Sequence, residues 1–306
     1  MKRVLLQLLS LILVLLGVVL LIFIMLRVIP GNPVSVLLGE HYSQETVERL
    51  TRVMNLDKSL PEQFFSYVAG LFRGDLGVSY IMNRPVTDLI LQAFPHTAKL
   101  ALMAAAIAWV IGLVAGITSA ITMNKLPDHL FMGFSLAGVS VPIFMSALFL
   151  QYFLGYKLGL FPLTSNGSLV SLVLPAIALG WNSAGAIARL TRSNLIDVLQ
   201  SDYIDTARAK GLSGHAVILG HALKNAMLPV VTMMALQLSS MMSGAVITES
   251  IFSIPGIGRL ATEAIKNRDM PLLQGTILFT TVLVILGNLL ADLLYMVLDP
   301  RIRRSQ

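Results

Sequence analysis

The sequence predicts an all-α integral membrane protein with six transmembrane helices, a small external domain after the first and a polar loop between the fourth and fifth. Three observations lead there. The 306 residues are 56% hydrophobic and only 12% charged, too apolar for a soluble domain of this size. Six apolar runs are each long enough to cross a bilayer: Leu5 to Leu26, Ala98 to Ile121, Leu130 to Leu154, Leu169 to Ala188, Val230 to Ser250 and Gly275 to Leu298. The formal charge of +6 is scattered at the ends of those runs and forms no single patch, which fits membrane orientation and gives no footing for nucleic acid. No cysteine is present, so disulfides and thiolate metal sites are excluded.

In chain order, Lys2 and Arg3 precede a run longer than a signal-peptide core that lacks a small-x-small cleavage site before Arg27; residues 1–26 read as an uncleaved first span. Residues 27–97 read as an external domain. Ser43 caps a helix with Val47, Leu50 and Met54 on one face, and Pro61 starts another carrying Phe64, Val68, Leu71 and Phe72. That aromatic stripe is expected to be the core of the domain, in preference to a contact with another protein. Residues 98–306 hold the remaining five spans. The second carries Gly112-x-x-x-Gly116, and the third Gly133, Gly138 and Pro142, residues that let helices approach closely or bend. Asn182 and Ser183 in the fourth, and Gln237, Ser239, Ser240 and Ser243 in the fifth, are polar at bilayer depth. Such groups face protein or a water-filled path, because lipid cannot satisfy them. Asp292 in the last span is expected to have a partner or to reach water, a structural ion pair being preferred to a proton site.

Both termini fall on one side, since the number of spans is even. Lys and Arg in the termini and short loops vote eleven (Lys2, Arg3, Lys125, five from Arg189 to Lys224, Arg301, Arg303, Arg304) against four (Lys157, Arg259, Lys266, Arg268), so the termini and the loop 189–229 are expected to be cytoplasmic.

That loop is the longest hydrophilic run of the second half. Leu195, Ile196, Leu199, Tyr203 and Ala207 recur at helical spacing, with Ser201, Asp205 and Arg208 elsewhere, which predicts one amphipathic helix stopped by Gly211. Arg208 and Lys210 complement its C-terminal dipole. Ser213 caps a second helix with Ala216, Leu219, Leu223 and Ala226 on one face and His221, Lys224 and Asn225 opposite, up to Leu228-Pro229.

The run Asp205-Thr206-Ala207-Arg208-Ala209-Lys210-Gly211 followed by Leu228-Pro229 resembles the cytoplasmic EAA loop of bacterial ABC importer permeases, in the branch that handles peptides and nickel. It departs from the general motif in having Asp-Thr-Ala for Glu-Ala-Ala and a longer interval to Leu-Pro; both departures are usual in the peptide branch. Pro30-Gly31-Asn32-Pro33, residues 55–60, Gly74-Asp75-Leu76-Gly77, Arg84-Pro85-Val86, Glu249 to Leu260, Arg268-Asp269-Met270-Pro271 and Asp299-Pro300-Arg301 resemble the same family, so the likeness covers nearly the whole chain.

The resemblance implies a permease subunit of an importer in the bacterial plasma (inner) membrane, partnered by a second homologous permease, two ABC ATPase subunits and an external solute-binding protein, besides membrane lipid. It also implies an ATPase-coupling surface at Tyr203, Asp205, Thr206, Ala207, Lys210, Gly211 and Leu212. Asn182, Ser183, Gln237, Ser240 and Ser243 are the expected translocation path. Short peptides are the expected substrate, with nickel or a metal chelate, or glutathione, as alternatives.

The chain has no phosphate-cradling Gly-x-x-x-x-Gly-Lys-Ser/Thr loop, so neither enzyme activity nor a cofactor is expected and ATP hydrolysis belongs to other subunits. A transporter driven by an ion gradient requires buried ionisable groups or broken helices near the midplane, and the sequence points to neither. A membrane enzyme is remote, because His41, His96, His129, His215 and His221 are dispersed without metal-ligand spacing.

Overall fold

A computed structural model describes residues 13–25, 44–53 and 56–298, apart from the side chains of 46, 50, 53 and 294–298. The Pro30 to Pro33 and Asp299 to Arg301 motifs, His41, and both chain ends lie outside the described residues. Among the described residues twelve helices follow in order: α1 (Leu13–Met25), α2 (Gln44–Val53), α3 (Leu60–Phe72), α4 (Val86–Ile121), α5 (Leu126–Ser140), α6 (Ile143–Leu150, extended by a π-helical turn Gln151–Lys157), α7 (Val173–Leu199, entered through a 3-10 turn Val170–Leu172), α8 (Asp202–Ala209), α9 (Gly214–Met242, with a π-helical turn at Val217–Ala222), α10 (Val246–Ile251), α11 (Ile257–Lys266) and α12 (Met270–Leu298). Among the described residues there is no strand, only a single antiparallel bridge between Val78 and Pro85.

Among the described residues, four helical stretches can by length and composition cross a bilayer: Val86–Ile121, Val170–Leu199, Gly214–Met242 and Met270–Leu293. The predicted third span is no single rod, for α5 and α6 meet at a bend of 103°. Val141 is extended and Pro142 follows, so the backbone leaves the helix where the proline ring excludes the preceding turn. Counted as one span, the bent pair makes five, and the first predicted span is described only from Leu13 to Met25.

The apolar runs misplace several helix ends. The predicted second span begins at Ala98, yet α4 starts at Val86 and runs through Pro95; likewise α9 runs through Pro229, where the sequence reads a loop boundary. A proline inside a membrane helix costs one backbone bond, and neighbouring groups can re-satisfy the freed carbonyl. The predicted fifth span, Val230 to Ser250, stops at Met242; Gly244 has φ +115 and α10 begins anew.

The described chain forms two compact units, one from residues 1–96 and 255–285, the other from 97–254 and 286–306. In the first, Ile22 of α1, Val86, Leu89 and Ile90 of α4, Ile257 and Leu260 of α11 and Leu272 and Leu273 of α12 make the core. Asp269, buried, gathers the loop before α4: the Ser79 hydroxyl and the amides of Tyr80 (3.2 Å) and Ile81 (3.3 Å) all donate to its carboxylate. The aromatic stripe of α3 departs from expectation. Phe64 is half-buried against Phe23, but Phe72 is 82% exposed, and Phe65 with it at 69%.

In the second unit, glycines set how closely helices approach. A Cβ on Gly112 or Gly116 of α4 would lie within 3 Å of Ile187, Ala184, Ala188 or Thr191 on α7, and a Cβ on Gly185 of α7 would sit 2.4 Å from the Ser135 carbonyl oxygen on α5. The Gly112-x-x-x-Gly116 expectation of close packing therefore holds.

Candidate functional site

The polar loop is helical almost throughout, but its first helix is broken. The apolar periodicity from Leu195 to Ala207 runs across Ser201, whose extended backbone (φ −83, ψ 147) ends α7 and starts α8. Two helices form where one is predicted, and the buried set shifts with the break. Leu195, Ile204 and Ala207 pack with Ala120 of α4 and Val217, Ala222 and Ala226 of α9 in a small core of their own. Tyr203, expected on that face, is exposed and accepts a hydrogen bond from Asn225 Nδ2 at 2.9 Å. Ile204 is missed by the sequence reading because the four-residue rhythm is read straight through Ser201. On α9 the π-helical turn widens the spacing, so Val217, Ala222 and Ala226 face inward while Leu219, expected inside, is 63% exposed.

The turn itself is as predicted. Gly211 has φ +80 and its amide donates to the Arg208 carbonyl at 2.9 Å; Ser213 then caps α9 by accepting from the Ala216 amide at 3.4 Å. Nothing lies within 4 Å of a Cβ built on Gly211, so the position demands glycine for its left-handed backbone and not for space. Asp202 and Asp205 sit in the first turn of α8 and Arg208 in the last, each sign matched to the helix dipole. Of the residues expected to form the coupling surface, Tyr203, Asp205, Thr206, Lys210, Gly211 and Leu212 are exposed together; Ala207 lies beneath them in the core. Arg208 pairs with Asp205 at 3.1 Å on the exposed side.

An ion pair that the sequence reading did not single out lies a few turns away. Arg192 of α7 holds Asp128 of α5 in a two-pronged contact, Nε to Oδ1 at 2.8 Å and Nη2 to Oδ2 at 2.7 Å, and the Asn124 amide adds a third bond to Asp128 at 2.9 Å. Asp128 is buried, and the planar fork satisfies both of its oxygens. Asp128 falls in the polar gap between two apolar runs, so hydropathy alone gives it no weight.

The second feature is a cavity of about 360 Å³ between α6, α7, α9 and α10. Asn182, Ser183, Gln237 and Ser240 line it, with Ile143, Leu179, Met241 and residues 244–248. Ser243 does not; its hydroxyl donates to the Ser240 carbonyl at 2.7 Å. The break after Met242 shapes the site, and Ser243-Gly244 was its available signal. Asn182 Nδ2 donates to the Gly138 carbonyl at 2.9 Å and Gln237 Nε2 to the Ser183 carbonyl at 3.2 Å, while Gln237 Oε1 and, elsewhere in this unit, Thr191 Oγ1 and Asn194 Nδ2 are buried without a partner among the described residues. Every lining side chain is uncharged.

Glu249, just beyond the lining, is fully buried and accepts from Thr97 Oγ1 at 2.8 Å. The sequence reading pointed to no ionisable group or helix break near the midplane; the structure shows this buried carboxyl and breaks at Val141-Pro142 and after Met242. Asp292 is exposed and has no ion-pair partner among the described residues, so the preferred ion pair is not found and the exposed alternative stands. No cluster of metal-ligating side chains occurs among the described residues.

Residues 112–304 match the family model of the binding-protein-dependent transport system inner membrane component, and residues 1–101 the N-terminal domain model of the same membrane components. The glutathione transport system permease protein GsiC of Pectobacterium atrosepticum is 38% identical over 297 residues, covering 97% of each chain, and that of Shigella flexneri is 38% identical over the same span. Among solved structures, an inward-facing MetNI methionine ABC transporter aligns over 70% of this chain and 97% of its own, with a TM-score of 0.59 at 16% identity. An amino acid ABC transporter solved with histidines covers 68% of this chain and 94% of its own, with a TM-score of 0.55 at 17% identity. At such identities the last two show a shared fold alone.

Proposed function

The chain belongs to the family of binding-protein-dependent transport system inner membrane components, and from that premise we propose how it carries its share of import. It is a permease subunit of an ABC importer, an integral membrane protein that works with ATPase and substrate-binding components and hydrolyses nothing itself. The proposed assembly pairs it with a second homologous permease, two ATPase subunits and one external solute-binding protein in the bacterial inner membrane. Six spans with both termini in the cytoplasm follow the distribution of basic residues.

The observation that carries the coupling role is α8 with its left-handed stop at Gly211. A short helix braced on its own core and turned sharply into the long α9 is a rigid lever, and its exposed face of Tyr203, Asp205, Thr206, Lys210 and Leu212 is the proposed docking surface for an ATPase subunit. ATP-driven closure of the ATPases would move that lever and, through α9, the Gln237 side of the cavity.

The proposed substrate is a short peptide of the glutathione class. Relatives covering 97% of the chain are named for glutathione transport, and the cavity offers amides and hydroxyls, which suit peptide groups. Imidazole, thiolate and carboxylate, the donors that select nickel or its chelates, are absent from the lining. The test is ATP-dependent uptake of labelled glutathione and di- and tripeptides in cells lacking their own peptide importers. Single cysteines, introduced into a chain that has none, provide two further readings. One at Asp205 is expected to cross-link to an ATPase subunit, and those at Asn182, Ser183, Gln237 and Ser240 to react with a small polar maleimide in at least one nucleotide state, with Ser243 slower. Uptake without either reading would keep the permease assignment and overturn the placement of lever and path.

A further inference from the structure

The groove between α1 and α3 has no part in that scheme. It has a volume of about 340 Å³ and is lined only by Leu20, Phe23, Ile24, Leu60, Pro61, Phe64 and Phe65. Phe64 meets Phe23 edge to face at 5.3 Å and Phe65 at 5.9 Å, so the far wall is a fixed aromatic corner. No polar side chain enters it, which excludes a hydrophilic ligand.

The near wall identifies the occupant. Leu20 and Ile24 belong to the exposed face of α1, together with Leu13, Leu16, Leu21 and Met25, in an uncharged run long enough to span a bilayer. That face covers about half the helix circumference and is built of bulky aliphatic side chains, interrupted by Gly17 alone. It lacks the paired small residues that membrane helices present to one another. The groove continues this face at the C-terminal end of α1, where α3 lies against it. On α3, Leu60, Pro61, Phe65 and Phe72 are exposed, with Lys58 just before the helix and Arg73 just after. Glu62 and Ser66 are exposed away from the groove, and hydrogen bonds from the Ser59 side chain and backbone hold the Glu62 carboxyl below its ordinary range, keeping that edge charged. An apolar stripe with bulky aromatics, flanked outside the helix by Lys58 and Arg73 and edged by Glu62, suits a helix lying at the bilayer surface.

We infer that the α1–α3 groove holds an acyl chain of a membrane phospholipid, and that α3 lies in the membrane interface with Phe65 and Phe72 sunk among the upper chain segments. α3 then serves as a float that fixes the level of the external segment against the bilayer, independently of what is transported.

Nitroxide labels on single cysteines at Phe65, Phe72 and Glu62, in the assembled transporter in phospholipid nanodiscs, decide this. At positions 65 and 72 collision with oxygen should exceed collision with a water-soluble nickel chelate, and at position 62 the order should reverse. A second reading uses phospholipids carrying a relaxing label near the glycerol end of the acyl chain, expected to broaden the signals at 65 and 72 and leave 62 unchanged. Chelate access at 65 and 72 would mean that water covers the stripe, and protection from both reagents would mean that another subunit does; either result overturns the inference. Labels that fail to assemble are replaced by Leu60→Cys, which probes the same stripe.

Discussion

Glycine is used for opposite reasons in the α4–α5–α7 interface and in the α8–α9 turn. At Gly112, Gly116 and Gly185 the backbone is ordinary helix, but a Cβ would land 2.4–2.9 Å from a neighbouring helix. At Gly211 there is open space on every side and the constraint is φ +80. The first region is limited by volume and the second by dihedral angle. The distinction separates what holds the molecule together from what gives the loop its shape, because overpacking is felt by the whole fold whereas a misshapen exposed turn is felt by whatever docks on it.

The sharpest probe of the packed region is its ion pair. Asp128→Ala leaves Arg192 without its partner; Asp128 is buried but the Arg192 side chain is 27% exposed and can reach water, so the loss is about 1.5–3 kcal/mol and the purified permease complex should melt below wild type. Adding Arg192→Leu should recover part of that loss. Equal melting of the single and double variants would show that the two charges are not coupled.

Gly185→Val comes next. Its side chain would drive into the Ser135 carbonyl oxygen and Val139, at a cost of about 1–3 kcal/mol for overpacking, and abundance in the membrane and uptake should fall together. Gly211→Val is the counterpart. A left-handed backbone costs a non-glycine residue about 1–2 kcal/mol, more when branched, here confined to an exposed turn. Abundance should stay near wild type while uptake and stimulation of the ATPase by the binding protein are lost; Gly211→Asn, which tolerates that backbone, should retain most of both. If Gly185→Val and Gly211→Val lower abundance equally, the contrast between volume and angle collapses. The smallest effect is expected from Gly220→Ala on α9, where φ is negative and no atom lies within 4 Å: a gain of about 0.5–1 kcal/mol, read as a small rise in melting temperature, with uptake unchanged.

The same contrast explains what the sequence revealed. Positive φ at Gly211 and the Ser213 cap are dictated by residues within a few positions, and both were readable. The apolar runs gave the all-helical membrane class, and the ordered motifs the family. Packing was less visible. Ser201 breaks a helix with neither proline nor glycine beside it, while Pro95 and Pro229, the strongest local breakers, lie inside α4 and α9 because membrane packing outweighs one missing hydrogen bond. Asp128 and Arg192 are 64 positions apart, and no periodicity connects them. Within the expected path, Ser243 drops from the lining because the helix ends beside it.

The bend between α5 and α6 bears on the lipid this protein lives in. Fifteen residues of α5 rise by about 22 Å, while the hydrocarbon of an ordinary bilayer is about 30 Å thick. Neither limb of the 103° elbow can match that depth as an upright rod. The membrane must therefore thin locally or the elbow must be sheltered by other helices, since the extended peptide at Val141 cannot face acyl chains bare. Asn182 of α7 already bonds the Gly138 carbonyl beside the bend, so part of that shelter is internal, and uptake compared across host lipids of different acyl length measures how much the bilayer has to supply.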